Sequence, residues 1–207
     1  MRVAHRIAGW RAARWAVAAL ALLWVGAARA DTEVYLLRGW FNVFSTGMDS
    51  IAEQLRSKGV RAEAMSHLAW RSTVEKIVKE RESGQANRLV LVGHSQGANN
   101  AIDMARELEK HGVPVDLIIT LVPWLQNPVP ANVVRAVNYY QSPGWGSPLT
   151  AETGFKGEID NRNIASDWGT LHVTIDKTTK IQEAVIAEVL GPSRDAPAEA
   201  ASAGPTR

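Results

Sequence analysis

Residues 89–99 read Leu-Val-Leu-Val-Gly-His-Ser-Gln-Gly-Ala-Asn, and this stretch constrains the fold more than any other. The four aliphatic residues predict a buried strand, and the residues from Ala98 onward predict an amphipathic helix. Between them, Gly93-His-Ser95-Gln-Gly97 has the Gly-x-Ser-x-Gly pattern in a strand-to-helix turn, which is the context it requires. A turn this tight has no room for a side chain at either glycine. The pattern therefore predicts a nucleophile elbow that exposes the Ser95 hydroxyl, against the alternative of an ordinary loop serine.

The predicted elbow also supplies a hydrogen-bond donor. The backbone N–H of Gln96 lies at the predicted helix start, where N–H groups lack intrahelical acceptors and the helix dipole favours negative charge. An oxyanion formed on a carbonyl attacked by Ser95 would be stabilised there. His94 is expected to pack against the turn or to orient it. The stretch thus predicts acyl-transfer chemistry, with Ser95 as nucleophile and Gln96 as one oxyanion donor.

The first 30 residues have the organisation of a secretory signal peptide. Four arginines precede an apolar run from Trp15 to Ala28, and Ala28-Arg-Ala30 then precedes Asp31. The alternative is a membrane anchor, but the run is short compared with the roughly 20 apolar residues that a spanning helix needs. We therefore predict cleavage after Ala30, export to the periplasm or beyond, and no stable membrane anchor afterwards.

Removal of this leader would change the charge of the chain. The full sequence has 23 basic and 21 acidic residues, with a formal net charge of +2. Five of the basic residues are arginines of the leader, so residues 31–207 have 18 basic residues against 21 acidic. Nucleic acid binding requires a basic surface, so no nucleic acid partner is expected. The sequence has no cysteine, so an exported domain must be held by its core rather than by disulfides.

After the leader, strands and helices alternate along the sequence. We predict strands over 33–38, 60–66, 88–92, 115–122 and 133–140, and helices over 48–55, 70–82, 98–111 and 178–190. This alternation predicts one α/β domain over residues 31–191, with a mostly parallel sheet of five or six strands flanked by helices on both faces. Residues 192–207 are rich in Pro, Ala and Ser without periodicity, and predict a disordered tail.

The order of these motifs resembles that of the α/β-hydrolase fold, in a small lidless form similar to lipases and thioesterases. The resemblance rests on a strand followed by Gly39-Trp40, the elbow at Ser95 and His172 before the last helix, and it covers residues 33–190. In that family the nucleophile comes first and the histidine last, after the final strand. The resemblance therefore implies that His172 is the general base that takes the Ser95 proton. A histidine on a surface loop is the alternative.

The resemblance also implies a second oxyanion donor, from the loop after an early strand. Here that loop reads Arg38-Gly39-Trp40-Phe41, so the backbone N–H of Trp40 is the candidate. Gly39 would let the backbone approach the reacting centre closely. The rings of Trp40 and Phe41 could instead belong to the core, which would leave a main-chain donor unaffected.

The acid of the expected triad is where the sequence departs from the family. The family places Asp or Glu at the carboxyl end of one of the two strands after the elbow strand, and neither end has one here. Glu152, Glu158, Asp160 and Asp167 lie farther along the chain, of which Asp160 and then Asp167 are the favoured candidates, and a pair without an acid is the alternative. Asp176 is expected to cap the last helix, as Ser45 or Thr46 is expected to cap the first.

No other chemistry is indicated. The sequence has neither a Gly-x-Gly-x-x-Gly nor a Gly-x-x-x-x-Gly-Lys-Ser/Thr pattern, and its histidines are too scattered for zinc, so no cofactor or metal is expected. The connection 123–130 is short and Pro-rich, which predicts an open site without a lid. Four tryptophans on predicted loops could line that site or fill the core: Trp40, Trp124, Trp145 and Trp168.

Together these features predict an exported serine hydrolase that cleaves carboxylic esters or thioesters through an acyl-serine intermediate on Ser95. The expected partner is a small ester or acyl substrate, and no oligomeric state is predicted. An amidase or acyltransferase could use the same site, since fold does not specify function. A non-catalytic binding protein with this fold is a further alternative, because the acid is missing.

Overall fold

The sheet consists of six strands that all run parallel in the part of the chain that the structure describes. They are β1 (Thr32–Arg38), β2 (Arg61–Ser66), β3 (Arg88–His94), β4 (Leu117–Leu121), β5 (Arg135–Tyr140) and β6 (Glu158–Asn163), in the order β2-β1-β3-β4-β5-β6. The structure is a computed structural model, and it describes residues 32–40, 45–85, 87–125, 127–165 and 174–191. The predicted leader and tail lie outside those residues, as do Phe41, Asp167, Trp168 and His172.

Within the described ranges, two helices cover each face of this sheet. The helices are α1 (Gly47–Ser57), α2 (Trp70–Glu82), α3 (Gln96–Lys110) and α4 (Thr179–Leu190). One buried cluster joins the sheet to α1 and α4, and a second joins it to α2 and α3. Along β3, Val90 and Val92 belong to the first cluster, whereas Leu89 and Leu91 belong to the second. Burial on both faces is why these strands are continuous apolar runs, and it confirms the predicted architecture.

Strand β6 was not predicted, because its sequence Glu-Ile-Asp-Asn-Arg-Asn has no alternation of apolar residues. It is an edge strand that pairs in parallel with β5, and most of its side chains are partly exposed. Ion pairs stabilise it instead of hydrophobic burial. Arg162 binds Glu188 of α4 at 2.7 Å and also the carboxylate of Asp160, and Asp160 lies 3.6 Å from Arg135 of β5. The strand therefore depends on partners that are distant in sequence.

A row of polar side chains, buried on β4 and β5 and exposed on β6, holds the loop after β5 against the sheet. Thr120, Asn138 and Asn161 lie opposite one another on β4, β5 and β6. Thr120 Oγ1 donates to Asn138 Oδ1 at 2.8 Å, and Asn138 Nδ2 donates to Asn161 Oδ1 and to Ser147 O at 2.9 Å each. Asn161 also binds the backbone of Leu149. The loop 141–157 contains no helix, and this row fixes its position over the sheet.

None of the helices in the described ranges has both the length and the apolar character needed to span a bilayer.

Candidate active site

Ser95 lies in the turn between β3 and α3 with a backbone conformation that serine rarely adopts. Its φ is 55° and its ψ is −121°, so it occupies a strained region for a residue with a side chain. The turn is held on both sides, since Ser95 N donates to Leu121 O at 2.9 Å and Ala98 N donates to Ser95 O at 3.0 Å. The residue itself is half-buried. Strain of this kind persists only where the surroundings enforce it, and it is concentrated at functional sites.

The two glycines of the elbow are required by close backbone packing. A Cβ on Gly93 would lie 2.3 Å from Gly97 O, at the start of α3. A Cβ on Gly97 would lie 2.3 Å from Leu37 O and 2.6 Å from Arg38 O, both in the backbone of β1. The predicted steric role of both glycines is therefore confirmed. Gly97 does more than form the turn, because it brings the start of α3 onto the end of the neighbouring strand.

The loop after β1 runs beside the nucleophile. A Cβ on Gly39 would lie only 3.1 Å from Ser95 Cβ, so the backbone of this loop approaches the elbow as closely as glycine permits. No acceptor for the N–H of Trp40 or of Gln96 is found among the described residues. Backbone N–H groups without an acceptor are available to a ligand, and at Gln96 the helix dipole adds to this. The two predicted oxyanion donors thus belong to segments that meet at Ser95.

A buried serine–histidine pair connects this loop to the elbow. Gly39 N donates to Ser45 Oγ at 2.9 Å, and Ser45 Oγ lies 2.7 Å from His94 Nδ1. Both side chains are almost completely buried. His94 therefore orients the turn, as predicted, and it does so through Ser45. His67 also contacts the backbone of Gly39; burial lowers the pKa of its ring, and the hydrogen bond to Gly39 opposes this effect.

The sequence predicts Ser45 or Thr46 as the cap of α1, but it does not reveal the contact of Ser45 with the elbow. Asp176 provides the cap instead. Its Oδ2 accepts a hydrogen bond from Gly47 N, the first residue of α1, at 2.8 Å. The prediction that Asp176 caps the last helix is wrong, because α4 begins after Thr178. Thr46 is the N-cap of α1 by position, but its side chain makes no capping bond.

The buried carboxyl of Asp176 makes stability depend on pH. Burial raises its pKa to about 6, although the bond from Gly47 N opposes the shift. The folded protein therefore binds this proton more tightly than the unfolded chain, whose aspartate titrates near pH 4. The free energy of unfolding should consequently decrease by about 2–3 kcal/mol between about pH 4 and pH 6, and not further above that range.

Asp176→Asn keeps an oxygen for Gly47 N–H but cannot ionise, so it should abolish this decrease. Urea unfolding of both proteins at several pH values measures the difference, and effects of all other groups cancel in the comparison. An identical pH profile for the two proteins would contradict the assignment.

The structure argues against Asp160 as the acid of the site. In register, His94 lies opposite Leu121, Leu121 opposite Tyr139, and Tyr139 opposite Arg162. Asp160 therefore lies three residues, or about 10 Å, before the level of Ser95 along its strand. Its carboxylate also binds the Arg162 Nε at 2.9 Å. It is a member of the β6 ion pairs, which argues against its predicted role as the acid. Asp167 and His172 lie outside the described residues, and their roles stay predictions.

Three of the four tryptophans are at the surface around this site. Trp40 follows β1, Trp124 follows β4 and Trp145 follows β5, and all three are about half exposed. They contact one another, and none of them belongs to either buried cluster. Of the two alternatives, lining the site or filling the core, the structure supports the first for these three.

Comparison with known proteins supports the fold. The amino-acid sequence matches no protein-family model and no curated protein sequence. The structure is similar to the RedJ thioesterase of the prodiginine biosynthetic pathway in Streptomyces coelicolor, with a TM-score of 0.52 and 9% identity over 77% of this chain and 85% of that one. It also matches the type II thioesterase BorB from the borrelidin biosynthetic cluster, with a TM-score of 0.46 and 12% identity over 77% of this chain and 93% of that one.

At such low identity the likeness to RedJ concerns the fold alone. It agrees with a parallel sheet that is flanked by helices. The resemblance stated from the sequence is thereby confirmed at the level of architecture: this chain has the α/β-hydrolase fold.

Proposed function

We propose that this protein is a serine hydrolase that cleaves carboxylic esters or thioesters through an acyl-serine intermediate. The observation that carries the proposal is the strained conformation of Ser95, with φ of 55°, directly beside the loop of Gly39. A serine that only packs or caps does not need a strained backbone. A serine whose hydroxyl must attack a carbonyl between two N–H donors needs such a backbone.

The proposed reaction has two halves. Ser95 Oγ attacks the carbonyl carbon of the substrate while His172 takes the hydroxyl proton, and the carbonyl oxygen becomes an oxyanion bound by the N–H groups of Trp40 and Gln96. The intermediate collapses, the bond to the alcohol or thiol breaks, and His172 protonates the leaving group. Water then attacks the acyl-serine in the same way, which releases the carboxylic acid and returns the proton to Ser95.

Preorganisation is the main contribution of the surrounding residues. The buried contact from Gly39 through Ser45 to His94 holds the donor loop at the elbow before substrate arrives. Donors that are already oriented stabilise a developing negative charge without reorganising during the reaction, and each is typically worth about 10²–10³ in kcat. Ser45 and His94 are thus positioning residues in this proposal, and neither needs to touch the substrate.

We also propose that the protein is exported and acts in the periplasm or outside the cell. The proposal rests on the arginine-rich start, the apolar run and the Ala28-Arg-Ala30 site. The mature chain would then begin at Asp31. Amino-terminal sequencing of the protein recovered from its host tests this, and a chain that retains Met1 would contradict it.

Labelling with a fluorophosphonate probe tests the proposed nucleophile. Such a probe reacts with a serine hydroxyl that is activated by a base, so we expect stoichiometric labelling of the full-length protein at Ser95, located by mass spectrometry of its peptides. Ser95→Ala should abolish labelling. Ser142→Ala is the matched control, because Ser142 is exposed on the same edge of the sheet and should leave labelling unchanged.

The same experiment separates the alternatives. No labelling of the wild-type protein would contradict the proposal. Labelling at Ser95 without turnover of any ester or thioester would support a binding role or an acyl transfer to another acceptor.

A further inference from the structure

Among the residues that the structure describes, most of the large exposed apolar side chains lie at one edge of the sheet. Trp40, Trp124 and Trp145 are 55%, 51% and 45% exposed, and each follows the carboxyl end of a strand. Leu68 and Leu125 are exposed at the same edge. Large apolar side chains that are exposed together commonly mark a binding site. The edge on which they lie is the one that carries Ser95.

The three rings form a continuous row, here called the tryptophan row. The ring centroids of Trp40 and Trp124 are 6.2 Å apart, and those of Trp124 and Trp145 are 5.7 Å apart. Because β3 lies between β1 and β4 in the sheet, the contact between Trp40 and Trp124 has to cross the end of β3. The row therefore starts beside the elbow and continues toward β5.

Buried hydrogen bonds hold the row in place. Asn99 is almost completely buried on α3, one turn after Ser95, and its Oδ1 accepts from Trp124 N at 2.9 Å and from Leu125 N at 3.1 Å. Val122 has a φ of 45°, which a β-branched residue rarely adopts, and it directs the chain from β4 toward Trp124. The backbone of Trp145 is bound by Gln141 N at 2.7 Å. A backbone that is fixed in this way limits the movement of the attached rings, so less entropy is lost when a ligand binds.

The geometry of the row determines which ligand it suits. The ring planes of Trp40 and Trp145 are inclined to that of Trp124 by 32° and 29°, and the three contacting rings together form one extended apolar surface. A sugar ring or a planar cation stacks on a single aromatic face and would use only one ring of the row. An extended hydrocarbon chain can lie across several rings and remove apolar surface from water.

We propose that the tryptophan row binds the acyl chain of the substrate, so that the preferred substrates are esters or thioesters of medium- or long-chain acids. This inference rests on the proposed function, because the chain must be attached to the carbonyl that Ser95 attacks. A methylene group that is fully covered strengthens binding about fourfold, and one that stays half exposed about twofold. We therefore expect kcat/KM to increase about two- to fourfold for each methylene that the row covers.

A series of p-nitrophenyl esters from acetate to dodecanoate tests this on the full protein. The readout is the ratio of kcat/KM for decanoate to that for acetate. Trp145→Ala, which shortens the row at its far end, should lower this ratio about tenfold. Val134→Ala is the control, since Val134 is exposed at the opposite edge of the sheet and its loss should leave the ratio and the activity unchanged. An unchanged ratio in Trp145→Ala would overturn the proposal.

A binding experiment separates this proposal from the proposed function. Calorimetry with sodium decanoate and sodium acetate on the Ser95→Ala protein measures the affinity of the tryptophan row for each acid in the absence of catalysis. The proposal for the tryptophan row is supported if decanoate binds much more tightly than acetate and if Trp145→Ala weakens the binding of decanoate about tenfold. This holds even if no ester is hydrolysed. Equal affinity for the two acids would overturn the proposal that the tryptophan row binds the acyl chain, whether or not the wild-type protein is an esterase.

Discussion

Ser95→Ala and His172→Ala are each expected to lower kcat for ester hydrolysis by about 10⁴-fold or more. The reason is that the nucleophile is weak until the base removes its proton, so either loss stops the same step. Groups that act as one unit are not additive, and the double variant should therefore be no slower than either single one. Initial rates with a chromogenic ester, at enzyme concentrations high enough to detect the residual activity, measure all three variants.

His111→Ala is the matched control for the histidine. His111 is exposed just after the end of α3, at the opposite edge of the sheet from Ser95, and its loss should leave kcat within about twofold. If His172→Ala kept most of the activity, the assignment of the general base would be wrong. Additive effects of the two substitutions would show that Ser95 and His172 act independently.

Gly97→Ala is expected to destabilise the protein by about 3 kcal/mol or more, at or above the upper end of the range that is typical of overpacked cores. The new Cβ would lie 2.3 Å from Leu37 O and 2.6 Å from Arg38 O. Both atoms belong to the backbone of a central strand, which cannot move without disturbing the sheet. Alanine favours a helix over glycine by about 1 kcal/mol, so without this contact the substitution would stabilise α3. Urea unfolding gives the sign and the size directly.

Gly112→Ala provides the comparison for this test. Gly112 ends the same helix with a φ of 67°, and a Cβ there would meet nothing within 4 Å. Its substitution should cost about 1–2 kcal/mol, from the left-handed backbone alone. A Gly97→Ala protein as stable as Gly112→Ala, or more stable, would mean that α3 does not pack on β1 as described.

The elbow and the parallel sheet could be predicted because their signals are local. Four aliphatic residues before Gly93 indicate a strand that is buried on both faces. The two glycines around Ser95 indicate a turn that has no space for a side chain at either position. Those features depend on neighbours within a few residues. Strand β6 could not be predicted, because its stability comes from pairing with β5 and from ion pairs to Arg135 and Glu188, which are remote in sequence.

Neither Ser45 nor Asp176 caps the helix that follows it in the chain, and the reason is related for the two residues. Ser45 and Asp176 both have residue types that cap the helix following them in the chain. In the folded protein Asp176 lies against α1 and accepts from Gly47 N, 129 residues away. Ser45 is then free to bind Gly39 and His94. Residue type indicates that a side chain will accept a hydrogen bond, but only the packing of α1 against the segment before α4 decides which donor it meets.

The row of tryptophans illustrates the same limit at the surface. Their positions after predicted strands were readable from the sequence, whereas their exposure was not. The exposure of the tryptophans depends on the strand order, which places β1 and β4 on either side of β3. This order brings Trp40 into contact with Trp124 across the end of the elbow strand. Local chain stiffness and apolar periodicity are thus encoded in short segments and determine the elements and the nucleophile. Contacts between segments far apart in sequence, which only folding brings together, determine the capping partners and the shape of the edge around Ser95.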